Sequence, residues 1–143
     1  MPTFSDLLQR HSEQTPDRVS VYMLHSGRPD FPLTYRQLVQ GAAGYAAIYA
    51  DQGIQPGEVI VLILQHGVDL LYAYFGAVLH GAIPAIMPFL TEKLLPERYR
   101  TDLASLISVT QPSALVTYPD FLYRTNSEIA CSDKANVTGI GRS

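Results

Sequence analysis

The sequence of 143 residues contains no tryptophan and a single cysteine, Cys131. One cysteine excludes a disulfide within the chain and any zinc site built from several thiolates, and it is typical of a reducing compartment. The first residues lack the apolar run of a signal peptide, and the most apolar segment, 70–79, is shorter than the roughly 20 residues that a membrane span needs. We therefore expect a cytoplasmic protein without a membrane span.

Charged residues are also few, at 16% of the chain, and the net charge is only −3. Acidic and basic side chains are interspersed, so the sequence shows no basic surface of the kind that binds nucleic acid. Hydrophobic residues make up 47% of the chain. This composition and length predict one globular domain with a real core, and the chain is too short for two complete domains.

Motifs for phosphate binding and nucleophilic catalysis are absent: the sequence has neither G-x-x-x-x-G-K-[ST] nor G-x-G-x-x-G, and no G-x-S-x-G. The four histidines lack metal-binding spacing. His66 and Gly67 stand at a predicted strand-to-helix turn where N–H groups could meet an anion, but simple turn geometry is the preferred interpretation. His80, in the last turn of a predicted helix, is explained by the helix dipole. We name no catalytic, cofactor-binding or metal-binding residue.

Local signals predict two helices in the first third of the chain. Thr3 and Asp6 form a capping signal for a short helix that ends before Pro16, and Thr34 with Gln37 forms a capping box for a longer one that ends near Gly53. The apolar stripe of the longer helix consists of Tyr35, Leu38, Ala42, Tyr45, Ala46 and Tyr49. Between the two helices, the pattern predicts a strand over 19–24, a turn, and a returning edge at 33–34.

Strands and helices then alternate. The pattern predicts a central strand over 59–64, a buried helix over 68–79 that ends at Gly81, and a strand over 83–87. A helix over 99–109 and a strand over 114–117 repeat the unit. This order predicts an α/β fold with a mostly parallel sheet and flanking helices. From 124 to 143 the periodicity is weak, and we expect a loosely ordered tail.

Three separated segments resemble the opening of the adenylate-forming superfamily, which includes acyl-CoA synthetases, fatty acyl-AMP ligases and luciferases. The first comprises Leu33-Thr-Tyr-Arg-Gln-Leu38 and Gly53-Ile-Gln-Pro-Gly57-Glu-Val-Ile-Val-Leu62; the second is Tyr74-Phe-Gly-Ala-Val-Leu-His-Gly81-Ala-Ile-Pro-Ala-Ile-Met-Pro88; the third is Gln111-Pro-Ser-Ala-Leu-Val116. His80 stands where the family usually has alanine, and the residues after Pro88 also depart from its pattern. The likeness covers about residues 3 to 123, in the family's order.

The resemblance implies that residues 1–123 form the first part of the large N-terminal domain of an AMP-forming ligase. Full-length members activate a carboxylic acid with ATP and magnesium, and most pass the acyl group to the thiol of CoA or of a carrier protein. The family's Ser/Thr/Gly-rich phosphate loop, its Thr-Glu pair, its ribose-binding Asp and its C-terminal lysine do not occur in this sequence. We therefore expect the chain to be inactive alone, to bind no cofactor itself, and to expose sheet edges through which it could self-associate.

Two other hypotheses stay open at this stage. The chain could be a non-catalytic interaction module or scaffold that pairs with a separate chain holding the rest of the enzyme. It could also be an unrelated small α/β protein that binds ligands at the carboxyl ends of its strands. Within the ligase hypothesis, a long apolar acyl group is the preferred substrate.

Overall fold

The computed structural model describes residues 1–89, 91 and 93–118 together with the backbone of 136–139. The elements follow one another as α1 (Phe4–Gln14), β1 (Val19–Met23), β2 (Phe31–Thr34), α2 (Tyr35–Asp51), β3 (Val59–Ile63), α3 (Val68–His80), β4 (Ile83–Ile86), α4 (Pro96–Thr110), β5 (Ala114–Thr117) and β6 (Asn136–Gly139). The chain divides into two compact units, one comprising Met1–Gly53 with His66–Gly81 and the other Ile54–Gln65 with Ala82–Ser143.

Both predicted capping boxes are present in the first unit. At the start of α1, the Thr3 hydroxyl accepts from the Asp6 N–H at 3.2 Å, and the Asp6 carboxylate accepts from the Thr3 N–H at 2.7 Å. These bonds from Thr3, the backbone one foremost, lower the pKa of Asp6. Thr34 and Gln37 repeat the arrangement at the start of α2, with distances of 3.2 and 3.0 Å. Because capping is decided by neighbouring residues, both helix starts could be predicted.

The core of the first unit is formed by Leu8 of α1, Leu33 of β2 and Leu38 of α2, all of which are buried. Strands β1 and β2 pair antiparallel, with Val21 opposite Leu33 and Met23 opposite Phe31. This hairpin and α3 supply further apolar side chains to the same core, including Val21, Leu71, Tyr72 and Phe75. Alternation along the strands therefore places one face of the small sheet in the core.

The second unit is built on a parallel sheet with the strand order β4-β3-β5-β6. Every neighbouring pair is parallel, with Val61 of β3 opposite Ala85 of β4 and Leu115 of β5. Central strand β3 is almost entirely buried, which explains its unbroken run of β-branched residues and leucine. The predicted α/β fold with a mostly parallel sheet is confirmed.

Helix α4 packs on one face of this sheet through Tyr99 and Leu103, which contact Val61 and Ile63. It begins at Pro96, three residues before the predicted start at Tyr99, with proline in its first turn. Proline suits this position because its fixed φ is already helical and its missing N–H has no partner to lose. The apolar periodicity that marked the helix begins only at Tyr99.

Gly81 ends α3 with φ of 87°, the left-handed conformation predicted for a glycine terminator.

Strand β6, at 136–139, lies within the predicted tail of 124–143 and pairs with β5, placing Val137 opposite Leu115. The remainder of that tail, including Cys131, lies outside the described residues, so its looseness stays a prediction. Among the helices that the structure describes, none is both long and apolar enough to cross a bilayer.

Candidate functional site

The carboxyl ends of the parallel strands are the place to look for a site, since open α/β sheets bind ligands at this edge. In the second unit, β3, β4 and β5 end at Ile63, Ile86 and Thr117. Among the described residues next to these strand ends are Pro88 and Phe89, which follow β4, and Tyr118, which follows β5.

Tyr99 of α4 holds the segment that follows β4. Its hydroxyl donates a hydrogen bond of 2.6 Å to the backbone carbonyl of Pro88, and its ring is 4% exposed. Burial raises the pKa of Tyr99 to about 12. The phenol is therefore protonated at neutral pH and acts as a donor that positions the chain after β4.

Phe89 and Tyr118 join the segments that follow β4 and β5. Their rings meet edge to face, with centroids 5.8 Å apart and planes at 75°. This is one of the favoured geometries for aromatic pairs, because the positive edge of one ring meets the negative face of the other. The pair therefore links the segments that follow β4 and β5, the two strands that flank β3.

Thr117, the last residue of β5, has no exposed surface, and its buried hydroxyl has no hydrogen-bond partner among the residues that the structure describes. It lies opposite Ile63, which belongs to the apolar cluster beneath α4. A buried hydroxyl without a partner loses its bonds to water and gains none in exchange. Sequence reasoning did not single out Thr117, because the pairing of a hydroxyl depends on contacts between distant strands.

The histidines do not form a site in the part of the chain that the structure describes. His66 is exposed, and Gly67 opens α3 with extended backbone, φ of 170°, and no side-chain cap, so its conformation does not require glycine. His80 lies in the last turn of α3, with its ring centroid 6.4 Å from that of Tyr49. The buried Tyr49 hydroxyl donates to the carbonyl of Ala73 at 2.9 Å.

The tyrosines of the apolar stripe predicted for α2 pack within the first unit, as that stripe indicated. Tyr45 and Tyr49 are buried, Tyr72 contacts the core of the first unit, and Tyr35 stacks on His11 with centroids 4.8 Å apart. Burial, with a smaller contribution from Tyr45, raises the pKa of Tyr49 well above its usual value. These rings serve the interior of the first unit.

The described residues do not fit a magnesium ion or a nucleotide phosphate. Nowhere among them do three histidine, cysteine, aspartate or glutamate side chains come together as metal ligands. The whole sequence also lacks the glycine-rich phosphate motifs, so no set of converging backbone N–H groups is indicated. We derive no chemical step through ATP or magnesium from these residues.

A parallel sheet with a helix packed on one face defines the class of this protein as an α/β domain. Residues 8–139 match the family model described as "AMP-binding enzyme". The chain belongs to this family of adenylate-forming enzymes, as the resemblance predicted.

Individual relatives agree. The chain is 30% identical to 4-coumarate–CoA ligase 2 of Petroselinum crispum over 113 residues, which cover 78% of this chain and 21% of that protein. It superposes with a TM-score of 0.75 and 19% identity on the fatty acyl-adenylate ligase of L. pneumophila solved with acyl adenylate and pyrophosphate, covering 94% of this chain and 22% of that one. For the fatty acid AMP ligase of Legionella pneumophila the TM-score is 0.66 at 25% identity, covering 84% and 20%. The chain thus spans about a fifth of the length of these proteins.

Proposed function

We propose that this chain forms part of the N-terminal domain of an ATP-dependent ligase of the fatty acyl-AMP or acyl-CoA type, and that it is catalytically inert by itself. The family match over residues 8–139 carries this proposal. The full-length reaction would use ATP and magnesium: a carboxylate oxygen of the acid bonds to the α-phosphorus of ATP, and the bond from that phosphorus to pyrophosphate breaks. The thiol of CoA or of a carrier protein would then accept the acyl group.

The described residues support a scaffold role. Stabilising the charge that develops on the phosphates needs cations or converging N–H donors. Among the described residues, no group of three histidine, cysteine, aspartate or glutamate side chains could hold a metal ion. Tyr99, the Phe89–Tyr118 pair and the strands they join instead fix the shape of the carboxyl edge of the sheet. A long apolar acyl group is the proposed substrate class, because the named structural relatives include fatty acid ligases.

ATP–pyrophosphate exchange tests this proposal. The 143-residue chain is incubated with ATP, magnesium, labelled pyrophosphate and, in turn, a short, an aromatic and a long-chain carboxylic acid. We expect no acid-dependent exchange, while a full-length fatty acyl-AMP ligase in the same buffer gives a strong signal with the long-chain acid. Exchange that requires one of the acids would show that the chain carries its own phosphate site.

An interaction module that pairs with a separate chain is the second candidate that we propose. Its test is complementation: the chain is mixed with a separately produced ligase that lacks the matching segment, and exchange is measured again. Exchange that appears only in the mixture would support pairing with a separate chain. Separate chains that do not bind each other in sedimentation would exclude it for that pair.

A cytoplasmic location and self-association through a sheet edge also remain proposals. Among the described strands, β4 and β6 lie at the two ends of the parallel sheet. Strand β6 is the better candidate for association, because β4 contains Pro84, which has no N–H to donate to a partner strand. Sedimentation of the chain over a range of concentrations measures self-association directly. A single monomeric species at every concentration would contradict it.

A further inference from the structure

Strand β4 lies at one end of the parallel sheet, and among the described residues it pairs with β3 alone. Its two isoleucines, Ile83 and Ile86, are 53% and 54% exposed. An edge strand with exposed β-branched side chains is the kind of backbone with which a second chain readily pairs. The sequence around it, Ala82-Ile-Pro-Ala-Ile-Met87, carries no charge.

The hydrogen bonds of β4 show which residues face β3. The N–H of Ile83 donates to the carbonyl of Glu58 at 2.8 Å, and the N–H of Met87 donates to the carbonyl of Leu62 at 3.0 Å. Backbone groups of alternate residues point to opposite sides of a strand. Ala85 therefore faces β3 together with Ile83 and Met87, whereas Pro84 and Ile86 face outward.

Pro84 has no N–H, so the outward row of β4 retains a single donor, the N–H of Ile86. The proline ring also occupies the position where a neighbouring strand would place its carbonyl. Pro88, just past the end of the strand, likewise has no N–H, and its carbonyl already accepts from Tyr99. A partner strand would thus meet an interrupted ladder and leave one of its own carbonyls without a donor.

We propose that Pro84 closes the outer edge of β4, the edge that faces away from β3, against pairing with a second copy of this chain, although the isoleucines of the strand are exposed. Proline on an edge strand is one of the recognised ways in which natural sheets prevent association between chains. Here it stands in the middle of a four-residue strand, the position where it interrupts the outward row most.

The test compares the full 143-residue chain with Pro84→Val, which introduces an N–H and a β-branched side chain of similar size. We expect the association constant for dimerisation, measured by sedimentation equilibrium, to rise roughly tenfold or more, because each hydrogen bond gained is worth about 1 kcal/mol. Pro56→Val, in an exposed turn of the same unit, is the matched control and should leave the constant unchanged. Adding Ile86→Lys to Pro84→Val should reverse the gain, since a charge on the edge opposes pairing.

Amide hydrogen exchange of the unaltered chain provides a second measurement that needs no folded variant. The Ile86 N–H should exchange quickly and at a rate independent of protein concentration, whereas the Met87 N–H should be protected by its bond to Leu62. Protection of Ile86 that grows with concentration in the unaltered chain would overturn the proposal. A folded Pro84→Val variant that associates no more than the Pro56→Val control would overturn it as well.

Discussion

Gly41 of α2 lies directly against the ring of Tyr72 of α3. A Cβ atom built on Gly41 would overlap the Cγ, Cδ1 and Cε1 atoms of that ring. Gly44, three residues further along α2, is exposed, and a Cβ there would meet nothing within 4 Å. One glycine is therefore required by the packing of two helices, and the other is not.

Gly41→Ala should destabilise the chain although alanine favours helix. Overpacking costs roughly 1–3 kcal/mol, against a gain of about 1 kcal/mol in helix propensity. Gly44→Ala, the matched control, gains the propensity without the clash and should raise the free energy of unfolding by up to about 1 kcal/mol. Urea unfolding of both variants measures the difference. Equal stabilisation by the two alanines would show that Tyr72 moves aside freely.

Gly76→Ala should be more harmful than Gly41→Ala. Its Cβ would lie 2.6 Å from the Cβ of Tyr45 and 2.7 Å from the carbonyl oxygen of Ala42. A backbone oxygen cannot rotate away as a side chain can, so α2 and α3 would have to separate. We expect a loss of roughly 3 kcal/mol or more, at the upper end of overpacking costs. Thermal unfolding ranks the two variants, and the reverse order would contradict the geometry.

Thr117→Val should stabilise the chain or leave its stability unchanged. The substitution keeps the shape of the side chain and removes a buried hydroxyl with no partner in the described part of the chain, a group whose burial costs about 1–3 kcal/mol. Thr34→Val is the contrasting control: its hydroxyl accepts from the Gln37 N–H, and loss of that cap should cost about 1 kcal/mol. Chemical unfolding of both variants provides the comparison. A clear loss of stability in Thr117→Val would reveal a partner for this hydroxyl.

Tyr99→Phe should remove part of the pH dependence of stability at alkaline pH. Burial favours the neutral phenol in the folded state, so its contribution is complete below the ordinary pKa of 10.0 and is lost as the pH rises through about 12. We expect the free energy of unfolding of the unaltered chain to fall more steeply than that of Tyr99→Phe across this window. The pKa of Tyr49 is raised in both proteins, so the difference between their free energies of unfolding isolates the contribution of Tyr99.

At neutral pH the same variant loses the hydrogen bond to Pro88, which is worth about 1 kcal/mol. Equilibrium unfolding in urea measures this loss. Parallel alkaline curves for Tyr99→Phe and the unaltered chain would exclude Tyr99 as the group that titrates late.

Sequence patterns predicted the parts of this fold that depend on near neighbours. The capping boxes at Thr3 and Thr34, the left-handed stop at Gly81 and the buried run of β3 are decided within a few residues, and the structure confirms them. The contact of Gly41 with Tyr72 and the isolation of the Thr117 hydroxyl depend on segments distant in sequence. Pairing of β6 with β5 is equally non-local, and the few apolar residues around it show little periodicity.

The sheet order β4-β3-β5 has a consequence for the order of synthesis. On the ribosome, the apolar residues of β3 are made before either of the strands that flank them, and β5 follows only after α3, β4 and α4 have been made. Until residues 114–117 emerge, one side of β3 has no strand to pair with. The nascent chain therefore exposes the apolar residues of β3 until β5 has emerged. A holding chaperone would act at this stage of synthesis.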